Sequence, residues 1–286
     1  MQNQVKRLRY FNIFLDSIEQ KDDDLITAFG HHVHWGYWKS TSLANNSVDD
    51  FRKAAEELSC QMSTAAGVAD NQSVLDVGCG FGGTIASINE RFKQMNLVGV
   101  NIDDRQIARA RQQVKAAETN QVEFVEADAC KLPFADASFD VVLAVECIFH
   151  FPSRELFFKE ARRVLRPGGR LTICDFIPVD MLMPGLGILD FFMGDFLTQT
   201  YGQSNLRYNY SLSDYEKLAQ KTGFLLSQQR DITVNTLPSY EITRQLMRKA
   251  TPPGIGAEID NLVNQAMEWV SRQGLLRYMI FSFQIA

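Results

Sequence analysis

Val74-Leu75-Asp76-Val77-Gly78-Cys79-Gly80-Phe81-Gly82-Gly83 decides how this chain folds. A short apolar run ends in an acid, a glycine-rich turn follows, and Thr84 to Phe92 then reads as a helix. Glycines at 78, 80 and 82 let the backbone turn tightly and approach a ligand where a Cβ would collide. The turn lacks the Lys-Ser/Thr of a phosphate-binding loop, and its spacing is Gly-x-Gly-x-Gly rather than Gly-x-Gly-x-x-Gly. An acid just ahead of the glycines opposes a pyrophosphate and suits a ligand that carries an ammonium group.

Outward from this turn, strands and helices alternate. Apolar strand-like runs stand at 73–77, 97–102, 122–127, 139–146 and 170–176, with helical patterns at 84–93, 104–118 and 153–164. Alternation of this kind predicts a parallel sheet with right-handed crossovers. Arg166-Pro167-Gly168-Gly169 is a turn that delivers the chain into the fifth strand. Asp214 to Thr222 reads as a helix capped by Gly223, and 224–234 and 275–285 supply the last two strands. Residues 1–70 read as a helical cap segment, 71–176 as the cofactor-binding core, and 223–286 as the completion of the sheet. The stretch 177–222, rich in Met, Leu, Phe and Tyr up to the helix, reads as an apolar lid insert over the ligand crevice.

The composition narrows the partners. Of 286 residues, 45% are hydrophobic and 22% charged, ordinary for a globular protein, and the net charge is −5. Nucleic acid binding needs a basic surface, so a small molecule is the expected partner. There is no apolar run of ~18 residues to span a membrane and no signal-peptide core, and five cysteines scattered singly fit a reducing cytoplasm. A homo-oligomer is compatible with this picture. His31, His32 and His34 cannot easily converge on one ion in an extended segment, so no metal is expected.

Open α/β sheets bind ligands beyond the carboxyl ends of their strands, near the point where the strand order reverses. The first strand ends at Asp76, the second at Asn101-Ile102-Asp103, and the third leads to Asp128-Ala129. The fourth ends at Glu146 and runs on to His150, and the fifth ends at Cys174-Asp175. With Leu132-Pro133-Phe134, Ser138-Phe139-Asp140 and Val164-Leu165-Arg166-Pro167-Gly168-Gly169, these segments resemble the successive motifs of class I S-adenosylmethionine (SAM) methyltransferases. His34-Trp35-Gly36-Tyr37-Trp38 and the ending Gly274-Leu275-Leu276-Arg277-Tyr278 resemble the small-molecule branch. That branch includes antibiotic-pathway sugar O-methyltransferases and tocopherol- and sarcosine-type enzymes.

The resemblance implies a Rossmann-like, seven-stranded, mostly parallel α/β sheet with N-terminal helices and the lid after strand five. It implies SAM as cofactor and S-adenosylhomocysteine (SAH) as product. Asp76, Gly78 and Gly80 would line the methionine end, Asn101 and Ile102 the ribose and adenine, and Gln106 the ribose. Asp128 would accept from the adenine amino group with Ala129 nearby, and Glu146 would stand beside the sulfonium. Trp35, Tyr37 and Trp38 would close over the methionine part, where aromatic faces favour a sulfonium cation; the same residues also read as an anchor for the N-terminal helices. One departure from the family is Asn101, where an acid commonly binds both ribose hydroxyls, with Asp103 as a substitute.

A histidine just past strand four suits a general base at neutral pH, and Asp175 on the neighbouring strand would orient it. The expected reaction is methyl transfer from SAM to a hydroxyl of a largely apolar small molecule, a secondary metabolite, with His150 and Asp175 catalytic. N- or C-methylation of an amine or isoprenoid carbon is the alternative within the class. A non-catalytic small-molecule binder is the alternative outside it.

Overall fold

Seven strands carry the fold in a computed structural model that describes residues 12, 15–16, 23–183, 185, 210–250 and 254–286. They are β1 (Ser73–Val77), β2 (Asn96–Asn101), β3 (Gln121–Glu126), β4 (Phe139–Val145), β5 (Leu165–Pro178), β6 (Phe224–Asp231) and β7 (Leu276–Ile285). Their order in the sheet is β3-β2-β1-β4-β5-β7-β6. The first five pair in parallel, and β7 runs antiparallel between β5 and β6. The expected seven-stranded, mostly parallel sheet is present, and its order reverses between β1 and β4.

β1 is buried on both faces, as a central parallel strand must be, so Val74, Leu75 and Val77 are fully enclosed. The helices described around the sheet are α1 (Asp23–Phe29), α2 (Val48–Ala66), α3 (Gly83–Arg91), α4 (Asp104–Gln113), α5 (Arg154–Val164), α6 (Leu212–Thr222), α7 (Pro238–Ala250) and α8 (Ile255–Arg272). Ile85 and Ile88 of α3 and Ile107 of α4 cover Val74 and Leu97 on one face. On the other, Phe157 and Phe158 of α5 and Tyr215 of α6 pack against Leu75, Val142 and Phe281. Each such fully buried aromatic or aliphatic side chain stabilises the fold by about 1.5–3 kcal/mol.

Of the boundaries that differ from the sequence reading, among them a sixth strand that ends at Asp231 rather than 234, three have a plain local reason. β5 starts at Leu165, not at 170, because Leu165 already pairs with Phe139 before Val141 pairs with Arg170. The Arg166–Gly169 turn is therefore a bulge inside the strand, with Gly168 at φ 79. α4 ends at Gln113 rather than 118, where Val114 takes up extended backbone and buries its side chain. In the helical cap, 30–47 is not helical apart from the short 3₁₀ turn Thr41–Leu43, and it brings Val33 to the cavity. Ser47 then starts α2 by accepting from the Asp50 N–H, and Gly67 ends it at φ 66.

α6 matches the expected helix, started by the Ser211–Asp214 capping box and stopped by left-handed Gly223. Most of the apolar insert expected at 177–222 lies outside the described residues, at 184 and 186–209. Among the described residues no helix is long and apolar enough to cross a membrane.

Candidate active site

The carboxyl ends of β1 to β4 converge on a cavity of about 730 Å³, part of it open to solvent. β1 contributes Val77, Gly78 and Gly80; β2 and the start of α4 contribute Asn101, Ile102 and Gln106. Asp128 and Ala129 follow β3, and Glu146, Cys147 and His150 follow β4. Nine of the residues expected at the cofactor or the acceptor thus share one wall, although they span 73 positions of sequence from Gly78 to His150.

Asp76 stands directly behind the turn and is 1% exposed. Its Oδ1 is buried without a hydrogen-bond partner, and burial pushes its carboxyl up to about 8. A buried carboxyl with neither cation nor donor is costly, and an arriving ammonium group would relieve it. The turn itself is held by the Gly78 and Cys79 N–H groups, which both donate to the Val100 carbonyl at 2.8 and 3.0 Å. Gly78 has φ 74, and a Cβ there would lie 2.6 Å from the Cys147 Cβ. Gly80 has φ 54, with Val33 across a gap that a Cβ would close to 3.2 Å.

On the β2 side, Asn101 donates through Nδ2 to Gln106 Oε1 at 3.1 Å and accepts from the Asp103 N–H at 3.2 Å. Gln106 is 1% exposed, and its Nε2 is buried with no partner, a donor waiting for an acceptor. Asp103 does not serve as the substitute acid. It caps α4 and is engaged by the Arg105 backbone N–H and guanidinium, with Nη2 at 2.7 Å. Asp128 is held through Oδ1 by the Cys130 N–H at 2.8 Å.

Glu146 follows β4 in left-handed backbone, φ 51, which a side chain adopts only when its surroundings enforce it. Its Oε2 accepts from the Trp35 N–H at 2.9 Å and the Tyr278 hydroxyl at 2.7 Å, and burial pushes the carboxyl up to about 7. His150 ends the 3₁₀ turn Ile148–His150, its N–H bonded to the Cys147 carbonyl and its ring 4.4 Å from that of Phe149.

The structure does not join His150 to Asp175. Asp175 is fully buried and does not line the cavity. It accepts from Arg154 Nη2 at 3.1 Å, the Tyr215 hydroxyl and the Phe176 N–H. Arg154, itself 9% exposed, needs a counter-charge, and this ion pair takes the carboxylate that sequence reasoning gave to the histidine.

The aromatic segment is an anchor more than a cavity wall. Trp35 packs its ring on Phe176, Tyr240 and Tyr278, and Trp38 donates to Asp50 at 2.9 Å. The Tyr37 N–H donates to the Ala54 carbonyl. None of the three lines the cavity; Val33 does. His32 bonds Glu56 at 2.9 Å, and His34 bonds Ser59 at 3.2 Å with its imidazole pulled down to about 3 by burial. Among the described residues no group of three or more His, Cys, Asp or Glu side chains is placed to hold a metal ion. Sequence reasoning missed Val33, Arg154, Tyr215 and the role of Tyr278, all brought in by long-range packing.

The signature described as "Methyltransferase domain" matches residues 75–173. The chain is 33% identical over 225 residues to methyltransferase GfsG of Streptomyces halstedii, covering 78% of this chain and 77% of that one. It is 34% identical to erythromycin 3''-O-methyltransferase of Saccharopolyspora erythraea over 165 residues, 57% of this chain and 52% of the relative. Among solved structures, geranyl diphosphate C-methyltransferase from Streptomyces coelicolor A3(2), a complex with Mg2+, geranyl diphosphate and SAH, superposes with a TM-score of 0.69. That match has 17% identity and covers 91% of this chain and 92% of the other. With a glycine turn backed by an unpaired buried acid, and with that coverage of GfsG, this chain belongs to the class I SAM-dependent methyltransferases.

Proposed function

We propose that the protein methylates a hydroxyl of a largely apolar small molecule, a secondary metabolite, with His150 as general base. The observation that carries this reading is His150 on the same cavity wall as Gly78, Gly80 and Glu146, beyond the carboxyl end of β4. The relative that acts at a 3''-oxygen supports an oxygen acceptor.

Bound SAM supplies an electrophilic methyl on a sulfonium. The chain's own residues do the rest. Asp76 would take the ammonium group on its unpaired Oδ1, and Gln106 would offer its unpaired Nε2 to the ribose. Asp128 would accept from the adenine amino group, with Asn101, Ile102 and Ala129 framing the nucleoside. The glycine turn lets the backbone come close, and the cavity wall fixes the orientation of the donor. His150 would take the proton that the acceptor oxygen loses as its bond to the methyl forms. Asp175 then acts through structure: bound to Arg154 and Tyr215, it fixes the end of β5 and the start of α5.

His150→Ala separates this from catalysis by proximity alone. Turnover should fall about 10²–10⁴-fold with SAM affinity unchanged, the usual worth of a general base. Wild-type turnover in that variant would overturn the role. C-methylation is the second reading, favoured by a carboxyl, Glu146, on the cavity wall where a carbocation would need one. The atom carrying the label after reaction with methyl-labelled SAM decides between them.

A further inference from the structure

Ammonium binding at Asp76 and proton removal at His150 leave Glu146 without a task, yet it is the most constrained residue of the wall. Its backbone is left-handed at φ 51, and its two oxygens are treated differently. Oε2 receives two donors, the Trp35 N–H and the Tyr278 hydroxyl, while among the described residues no hydrogen bond reaches Oε1. Tyr278 comes from β7, 132 residues along the chain, and is 1% exposed. Its ring is wedged against Phe176 at 4.4 Å, so its hydroxyl cannot swing away without unpacking the sheet edge.

Two donors on one oxygen favour the ionised form and fix the plane of the group. Among the described residues no Lys or Arg lines the cavity, so the protein itself supplies no cation for that carboxylate there. The nearby Arg154 belongs to Asp175. Among the described residues the counter-charge is missing there, and a cationic ligand would supply it.

We propose that Tyr278 is a positioning residue which, with the Trp35 N–H, holds Glu146 as counter-charge to the sulfonium, so that the cavity prefers SAM over the neutral thioether SAH. This rests on SAM occupying the cavity, and it adds a device for expelling product. Transfer of the methyl removes the positive charge at sulfur, and the pinned carboxylate then faces a neutral ligand. It loses its only partner at Oε1, and product release becomes easier.

The groups facing Glu146 are Asp175 and Cys174 on β5, Tyr278 on β7, and Cys147 and His150 on its own loop. None of them is a fixed cation, and Asp175 opposes ionisation. With burial holding the carboxyl at about 7, a part of the ligand-free protein carries a proton there at neutral pH. A sulfonium would drive that proton off; a thioether would not.

The test is calorimetric titration of SAM and of SAH into the full chain, without acceptor, in buffers of different ionisation enthalpy at pH 7. Asp76 meets the same ammonium group in both ligands, so the difference in proton release isolates Glu146. SAM should release about half a proton more than SAH. Glu146→Gln keeps an oxygen for Trp35 and Tyr278 but removes the charge, and should abolish both the proton difference and the preference for SAM. Tyr278→Phe keeps the ring and should lower the SAM:SAH affinity ratio about tenfold, the lower range for a hydrogen bond to a charged group. Equal proton release by the two ligands, or an unchanged ratio in Glu146→Gln, would overturn the proposal. So would a variant that changes only the Michaelis constant of an acceptor, which would assign Glu146 to acceptor binding. If Tyr278→Phe does not fold, the wild-type proton difference and Glu146→Gln decide. Failure of wild type to bind either ligand would remove the occupancy beneath the proposal, a result distinct from equal binding of both.

Discussion

Asp76→Asn should make the ligand-free protein more stable and the methyltransferase worse. Asp76 is 1% exposed, its Oδ1 has no partner, and burial alone raises its carboxyl from an ordinary 3.8 to about 8. The unfolded chain ionises near 3.8, so folding at pH 7 forces proton uptake across roughly three units. At 1.36 kcal/mol per unit this costs about 4 kcal/mol. The sign follows from a folded-state pKa that is raised. The stability is fully present below pH 3.8 and is lost progressively as the pH climbs through about 8. Asparagine carries no such charge, so the variant's melting temperature should lack this decline between pH 5 and pH 8.

At neutral pH the variant should be more stable by a few kcal/mol, with the amide's two added N–H donors, buried beside no established acceptor, offsetting part of the gain. SAM reverses the balance. In wild type the ammonium supplies the missing counter-charge, and the variant should bind SAM about 10–100-fold more weakly, the range of a charge-assisted hydrogen bond. Thermal melts across pH with and without SAM measure both effects. Identical pH slopes in the two proteins, together with unchanged SAM affinity, would refute the reasoning at its base.

Gly78→Ala should lower stability by about 1–3 kcal/mol from its left-handed backbone alone, with a further cost from the Cβ placed 2.6 Å from that of Cys147. Its denaturant midpoint should fall and its SAM affinity with it. Arg154→Met leaves the buried Asp175 without its cation and should cost about 3–5 kcal/mol. Asp175→Asn in that background should recover a good part, whereas an independent effect would add. Val33→Asp would bring a carboxylate next to Gly80, and SAM affinity should change while the melting temperature of the ligand-free protein moves little, because Val33 is half-buried.

The parts of the site that sequence made legible are those built by local chemistry. The glycine turn follows β1 directly, and the strand-end residues Asn101, Asp128 and Glu146 follow from alternation and strand length. All of them lie within one run of parallel strands, so reading each strand's end is enough to place them on one wall. The parts that stayed hidden depend on β7, which enters antiparallel beside β5 and brings Tyr278 to Glu146 across 132 residues. The Arg154–Asp175–Tyr215 group was hidden for the same reason, since its members come from α5, β5 and α6. The aromatic run Trp35–Trp38 shows another limit: its composition suits a cavity wall and a core equally. The Trp35 ring on Tyr240 and the Trp38 indole N–H on Asp50 tie these two side chains to the core. Even there the backbone takes part in the site, through the Trp35 N–H on Glu146.

The central claim is that one cavity, at the carboxyl ends of β1 to β4, holds the methyl donor with its charges matched by Asp76 and Glu146. A crystal structure of the complex with SAM tests it most directly. The account predicts the ammonium within hydrogen-bond distance of Asp76, the adenine amino group on Asp128, and the sulfonium beside Glu146 with its methyl directed toward His150. SAM bound elsewhere, or bound with Asp76 still unpaired, would contradict it.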